Sequence, residues 1–274
     1  MKKVLFGILL FYTSTLWAEP PQLPQLPKTE IKPLILKTVA VYPHDNKAFT
    51  QGLVFDEGFL YESTGNYGGS SLRKVEPATG KVLINLPLPK QYFAEGLELV
   101  DDKLYQLTWR EHTCFVYEKS AFKLIGQFQY NGEGWGLAFD GEHLILSDGS
   151  AVLRFFDPKT FRQKRQLNVA DRDAKTKKSV PVKNLNELEF VRGEIWANVW
   201  QTTRIVRINP KTGEVIGWIE CSNFVPKEYE KELSGSLFQR NNVLNGIAFD
   251  PATNQVFITG KNWSLLYKIR IDDQ

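Results

Sequence analysis

Two charged residues stand where a regular β-rich sequence has no need of them. Glu95 stands near the start of the run "FAEGLEL", and Lys261 sits in "TGKNW". A carboxylate can carry a proton between two reacting atoms, and an ammonium can stabilise an oxyanion. Both belong to ten positions marked out by an internal repeat. One column holds Gln51, Glu95, Trp135, Asn186 and Asn245; the other holds Gly65, Trp109, Gly149, Trp200 and Lys261. Together they offer one acid, one cation, amide groups and indoles whose N–H groups donate hydrogen bonds. No side-chain nucleophile stands among them, so the substrate is expected to supply its own.

Residues placed this regularly need a repeated element to hold them. No sustained helical period occurs. Short runs of alternating apolar and β-branched residues recur between turn signals such as "DEG", "VDD", "DGE" and "NPKTG",. Five copies begin at Phe49, Phe93, Gly132, Asn184 and Val243. Aligned on the Gly-Leu pair or its equivalent, they are spaced by 44, 40, 51 and 59 residues. These lengths fit four-stranded propeller blades with loop insertions. A third strand follows each hairpin and a fourth follows all but the last, which ends at Gln274. The run "LILKTVAVYP" ahead of the first copy resembles the missing strand, and supplying it from the N-terminal side removes two open edges,. The expected fold is all-β, a five-bladed β-propeller over residues 34–274 with four antiparallel strands per blade, the last blade closed by an N-terminal strand. A sandwich or barrel is the alternative, and it leaves the matched copies unexplained.

In an antiparallel hairpin the start of one strand lies beside the end of the next. Both columns are therefore expected at one mouth of the central channel. Phe49 and Phe93, each two residues before the first column, add aromatic walls, and Gly65 and Gly149 are expected to leave room. A concave aromatic site with few convergent polar groups suits a small ligand. Singly, each residue has a plainer reading: a Trp packs, an Asn caps a turn, a Lys or Glu reaches water. That reading strains when all of them share one rim. By contrast, Leu53, Leu97, Leu137, Leu188 and Ile247 repeat because the core needs them, as do Phe55, Leu99, Phe139, Phe190 and Phe249.

Several other chemistries lack their residues. His44, His112 and His143 have no zinc-ligand spacing, and no Cys-x-x-Cys occurs,. There is no Gly-x-Ser-x-Gly elbow, and "STGNYGGSS" has no following Lys or helix to hold a phosphate,. A glycosidase needs two carboxylates, and the ring supplies one. Glu62, Asp148 and Glu187 adjoin the columns but are expected, by strand alternation, to point to the other face. No catalytic metal or cofactor is expected; a structural calcium ion on the propeller axis stays open.

The ends and the composition bound the rest. Residues 1–18, "MKKVLFGILLFYTSTLWA", combine a basic start, a short interrupted apolar run and a small residue, the pattern of a signal peptide,. Residues 19–33 form a Pro-rich leader, so the chain is expected to be exported, periplasmic or secreted, without membrane insertion once processed,. Without Lys2 and Lys3 the 34 basic residues become 32 against 31 acidic, a net charge of about +1 that argues against a nucleic-acid partner,. Cys114 and Cys221 fall at different places in the repeat and are expected as separate thiols. No apolar surface stripe is evident, so a monomer is expected.

The motifs "FTQGL", "YESTGNYGGSSLRKV", "FAEGLEL", "LTWRE", "EGWGLAFDG", "LNELEFVRGEIWANVW", "RINPKTGEVIGWI", "LNGIAFD" and "TGKNW" span nearly all of 49–267. They resemble the plant and bacterial type of glutaminyl cyclase, the propeller family distinct from the zinc-dependent animal enzymes. Segments 171–180 and 221–242 depart from it, and both lie in connections between blades. The resemblance implies conversion of N-terminal glutamine of peptides and proteins to pyroglutamate with loss of ammonia. It implies Glu95, Lys261 and Asn186 as catalytic residues. Gln51, Phe49, Phe93, Trp109, Trp135 and Trp200 would bind substrate. Glu95 would shuttle the proton, while Lys261 with the indole N–H of Trp135 or Trp200 would polarise the γ-carbonyl. The alternatives are a non-catalytic periplasmic propeller that cages a cationic ligand or peptide, and a sugar- or lactone-acting propeller, which needs a second carboxylate or a metal.

Overall fold

The computed structural model describes residues 34–230 and 241–273. The expected signal peptide and leader lie outside the described residues. Each alternating run becomes a strand, and twenty of the strands form five antiparallel sheets of four. The first blade comprises β2 (Thr50–Asp56), β3 (Phe59–Thr64), β4 (Ser71–Glu76) and β5 (Lys81–Pro87). The second comprises β6 (Ala94–Val100), β7 (Lys103–Thr108), β8 (Thr113–Glu118) and β9 (Lys123–Gln129). The third comprises β10 (Leu137–Phe139), β11 (Leu144–Leu146), β12 (Val152–Phe156) and β13 (Gln163–Asn168). The fourth comprises β16 (Leu185–Val191), β17 (Glu194–Val199), β18 (Arg204–Ile208) and β19 (Val215–Glu220). The fifth comprises β20 (Leu244–Asp250), β21 (Gln255–Gly260) and β22 (Leu265–Asp273), and its outer strand is β1 (Leu34–Pro43). The basic segment 171–180 contributes to a small hairpin, β14 (Ala170–Arg172) with β15 (Ser179–Pro181).

The core is divided among the seams. Each of five apolar clusters joins residues of two neighbouring blades, for example Leu53 and Leu60 with Ala248 and Phe257 between the first and fifth. Burial on both faces of each blade is what turns five separate sheets into one body. Leu53, Leu97, Leu137, Leu188 and Ile247 are fully buried, as expected. Phe55, Leu99, Phe139, Phe190 and Phe249 are partly buried, and each packs against one of the five seam clusters. Cys114 and Cys221 are both free and buried.

Near the axis, backbones touch. A Cβ on Gly52 would sit 2.4 Å from Leu97 N, one on Gly96 2.6 Å from Leu137 N, and one on Gly136 2.0 Å from the Asn186 carbonyl oxygen. Glycine follows the first column in these copies because a neighbouring strand occupies the space. The fourth copy carries Glu187 there instead. Its side chain crosses between blades, accepting the N–H of Leu53 at 3.3 Å and of Ile247 at 2.9 Å.

Candidate active site

The mouth is shaped by the way each innermost strand begins. In four blades the second-column residue donates its main-chain N–H to the residue two before the first column. Gly65 bonds Phe49 at 2.8 Å; Trp109 bonds Phe93, Trp200 bonds Asn184 and Lys261 bonds Val243, each at 2.9 Å. The two columns therefore do meet on one rim. Just beyond, the register slips by one residue, between Thr50 and Gly52, Ala94 and Leu97, Leu185 and Leu188, and Leu244 and Ile247. Such a bulge re-aims a side chain and breaks strict alternation. That corrects the expectation for Glu187: inside its bulge it reaches across the axis, rather than to an opposite face.

Phe49, Phe93, Trp109, Trp135 and Trp200 wall a cavity of about 240 Å³ into which Gln51, Glu95, Asn186 and Lys261 project, with Asn241 at its edge. All nine residues singled out in the sequence are thus brought together. The four polar ones are each 5% exposed or less. Glu62 and Asp148 are not in the lining. Glu62 is bound by His44 at 3.0 Å and Thr50 at 2.7 Å, and Asp148 faces Arg154 at 3.5 Å.

A polar relay fixes the acid. Asn245 Nδ2 donates to the Thr50 carbonyl at 2.9 Å and to Gln51 Oε1 at 3.3 Å, and Gln51 Nε2 donates to Glu95 Oε1 at 2.9 Å. Burial pushes Glu95 well above the usual carboxylate range; Lys261 draws it back, and Glu133 and Glu111 add to the rise. Burial pushes Lys261 down to about 8, with Glu95 opposing. Both groups are displaced toward neutrality because a charge loses hydration inside the protein. Among the described residues they form no contact ion pair; the Lys261 ammonium lies 4.9 Å from the centre of the Phe49 ring.

One residue of the lining keeps unused hydrogen-bonding capacity. Asn186 Oδ1 is buried with no partner among the described residues. The Trp135 N–H is not available, because it donates to Glu133 at 3.0 Å, as the Trp109 N–H does at 2.8 Å. Of the two indoles expected to polarise a carbonyl, Trp200 is the one left to do so. The glycines also act differently from expectation. A Cβ on Gly65 would meet the Phe93 ring at 2.4 Å, and one on Gly149, whose φ is 78°, would meet Trp135 at 2.6 Å. They let aromatic walls lie flat and do not leave space open.

Two residues of the site went unread in the sequence. Glu133 occupies the same place as Phe49 and Phe93, two before the first column, and reading that column through all five copies would have exposed it. Asn241 precedes the fifth copy and carries no repeat signal.

The family model described as glutamine cyclotransferase matches residues 9–271. A glutaminyl-peptide cyclotransferase of Arabidopsis thaliana is 41% identical over 238 residues, covering 86% of this chain and 71% of that protein. The crystal structure of Myxococcus xanthus glutaminyl cyclase is 35% identical with a TM-score of 0.76, covering 88% of this chain and 98% of that one.

Proposed function

The chain belongs to the glutamine cyclotransferase family, and on that premise we propose how its rim pocket closes an N-terminal glutamine to pyroglutamate and releases ammonia. The observation that carries this reading is the pairing of buried Glu95 and Lys261 in one aromatic cavity without a contact ion pair between them. A non-catalytic binder is not favoured by membership of a cyclotransferase family.

The nucleophile is the substrate's own α-amine, already tethered to its target, so much of the proximity advantage is built in. Free α-amines titrate near 7.7–8.0 and arrive largely as ammonium. An incoming cation favours the ionised form of Glu95, which takes one ammonium proton. The amine nitrogen then bonds to the γ-carbonyl carbon, and the carbonyl electrons move to oxygen. Lys261 and the Trp200 N–H stabilise that oxyanion. Glu95 hands its proton to the amide nitrogen and takes the second proton from the ring nitrogen. The oxyanion collapses, the carbon–nitrogen bond breaks, and neutral ammonia leaves instead of an amide anion. Glu95 finally releases its proton to the departing ammonia or to water. The free Asn186 Oδ1 is suited to accept from the substrate's N–H groups, and Gln51 holds Glu95 in place. Phe49, Phe93 and Trp109 set a width that suits a single unbranched side chain.

No step calls on a metal or cofactor. Glu98, Glu187 and Glu189 lie on innermost strands, but each already accepts main-chain N–H groups. No group of three or more His, Cys, Asp or Glu able to hold a metal ion occurs among the described residues. Peptides and proteins beginning with glutamine are the proposed substrates. Export as a monomer is proposed from the first eighteen residues and from exposed apolar side chains that are scattered over β1, β5, β9, the β3–β4 loop and the β14–β15 hairpin. No helix among the described residues is long and apolar enough to cross a membrane.

The test is ammonia release from a Gln-initiated dipeptide by wild type and by Glu95→Gln. Wild type is expected to release ammonia with a mass loss of about 17 from the peptide. The variant is expected to lose roughly 10²–10⁴-fold in turnover while keeping its circular dichroism spectrum. Near-normal turnover in the variant would remove Glu95 from the proton path.

A further inference from the structure

Glu133 has no part in the reaction as written, yet the third blade is rebuilt around it. In the other blades the main chain two residues before the first column is held by a ladder hydrogen bond. Here Gly149 leaves that ladder and bonds the Leu185 carbonyl of the next blade at 3.2 Å. Side chains take over. Arg154 Nη2 donates to the Glu133 carbonyl at 2.9 Å, and its Nη1 donates to the Asn131 carbonyl. His112 Nδ1–H donates to the Gly132 carbonyl at 2.7 Å, and Gly134 N–H donates to the Trp109 carbonyl at 3.1 Å. The segment released by the ladder is thus held rigidly.

Its side chain is held as firmly. Glu133 Oε2 accepts the indole N–H of Trp109 and of Trp135, and Oε1 accepts Arg110 Nε at 3.0 Å. The Arg110 guanidinium lies over the Trp109 ring at 3.8 Å. One carboxylate therefore ties together two walls of the cavity that come from different blades. Hydrogen bonds to an ionised acceptor are roughly twice as strong as neutral ones.

We propose that Glu133 is a positioning residue for the cyclisation: it brackets the indoles of Trp109 and Trp135, and it sets a fixed negative charge at the mouth beside Glu95. The inference rests on the cyclisation reading above. Charged and titratable groups around Glu133 are Arg110 and His112 from the second blade, Arg154 from the third, and Asp148 behind Arg154. Those facing Glu95 are Lys261, Glu111 and Glu133 itself, with the phenols of Tyr67 and Tyr130. Burial alone would raise the Glu133 carboxyl, but the N–H donors of Trp135, Trp109 and Arg110 outweigh it and hold the group below its ordinary range. The resulting anion makes a second negative charge at Glu95 less favourable. Removing it lets Glu95 ionise at lower pH.

Two variants separate bracket from charge. Glu133→Gln keeps an acceptor oxygen and loses the charge. Glu133→Ala loses both. Carboxyl-carbon NMR should show the Glu95 titration midpoint at lower pH in Glu133→Gln than in wild type, and the acid limb of kcat/KM for the Gln-initiated dipeptide should move the same way. In Glu133→Ala the indole N–H resonances of Trp109 and Trp135 should lose their shift and exchange protection. Its kcat/KM should fall about 10²-fold, as expected for walls misplaced by about an ångström. Unmoved Glu95 titration in Glu133→Gln, or unchanged indole resonances in Glu133→Ala, would overturn the proposal. The NMR readouts need no turnover, so a wild type that releases no ammonia would sink the cyclisation reading alone.

Discussion

Burial moves Glu95 and Lys261 in opposite directions, each toward the neutral form, because the pocket removes water that either charge would otherwise keep,. A proton moves between groups of matched affinity with the least penalty, so this desolvation serves the chemistry. Lys261 has a specific consequence. It polarises only when protonated, so kcat/KM should fall on the alkaline side as pH passes about 8. Lys261→Ala should remove that limb and lower kcat by about 10²–10³-fold, with KM much less affected. Rates across pH 6–10 on the dipeptide check both; an effect confined to KM would assign Lys261 to binding alone. At this scale the sequence was legible wherever one copy of the repeat departed from the others. It was not legible for the Trp135 N–H, whose engagement by Glu133 depends on a contact no spacing announces.

At the scale of elements, bulges and glycines do the aiming. A strict two-residue alternation sends Glu187 to the wrong side, and the one extra residue in its own innermost strand sends it across the axis. The closing strand is secured by a second device. Just past β1, His44 donates Nδ1–H to the Trp263 carbonyl at 2.7 Å and Nε2–H to Glu62 at 3.0 Å. Both ring nitrogens face acceptors, so the ring is an imidazolium paired with a buried carboxylate. Burial acts against each charge, but their mutual attraction prevails: His44 is raised and Glu62 lowered. The share of Glu62 is complete above its ordinary 4.5 and is lost as pH falls through its lower folded value,. The share of His44 is complete below its ordinary 6.5 and is lost as pH rises through its higher folded value,. The pair should therefore contribute most between 4.5 and 6.5. His44→Ala should cost roughly 3–5 kcal/mol in urea unfolding at pH 6, and clearly less at pH 9. An equal loss at both would show that the pair is not ionic.

At the scale of the whole molecule, closure is the decisive event. The fifth blade borrows β1 from the far end of the chain, with partners running from Leu34 against Asp273 to Pro43 against Leu265. Deleting 34–43 exposes the edge of β22 and uncovers the apolar residues of the fourth-to-fifth seam,. Such a truncation should lose cooperative thermal unfolding and aggregate. A sharp transition near that of the full chain would mean that the ring holds without its outer strand. Closure also brings Lys261 of the fifth blade to the pocket that Glu95 enters from the second, so fold and activity are expected to fail together.

The sequence by itself determined the blade count, the borrowed strand and the rim residues, because each repeat copies one local pattern and exceptions to it are visible in one dimension. Only the tertiary structure decided which donors remain free, how Glu187 spans the axis and why Glu133 matters. Those depend on where neighbouring blades touch, and at the axis that distance is set by packing of strands that are remote in the chain.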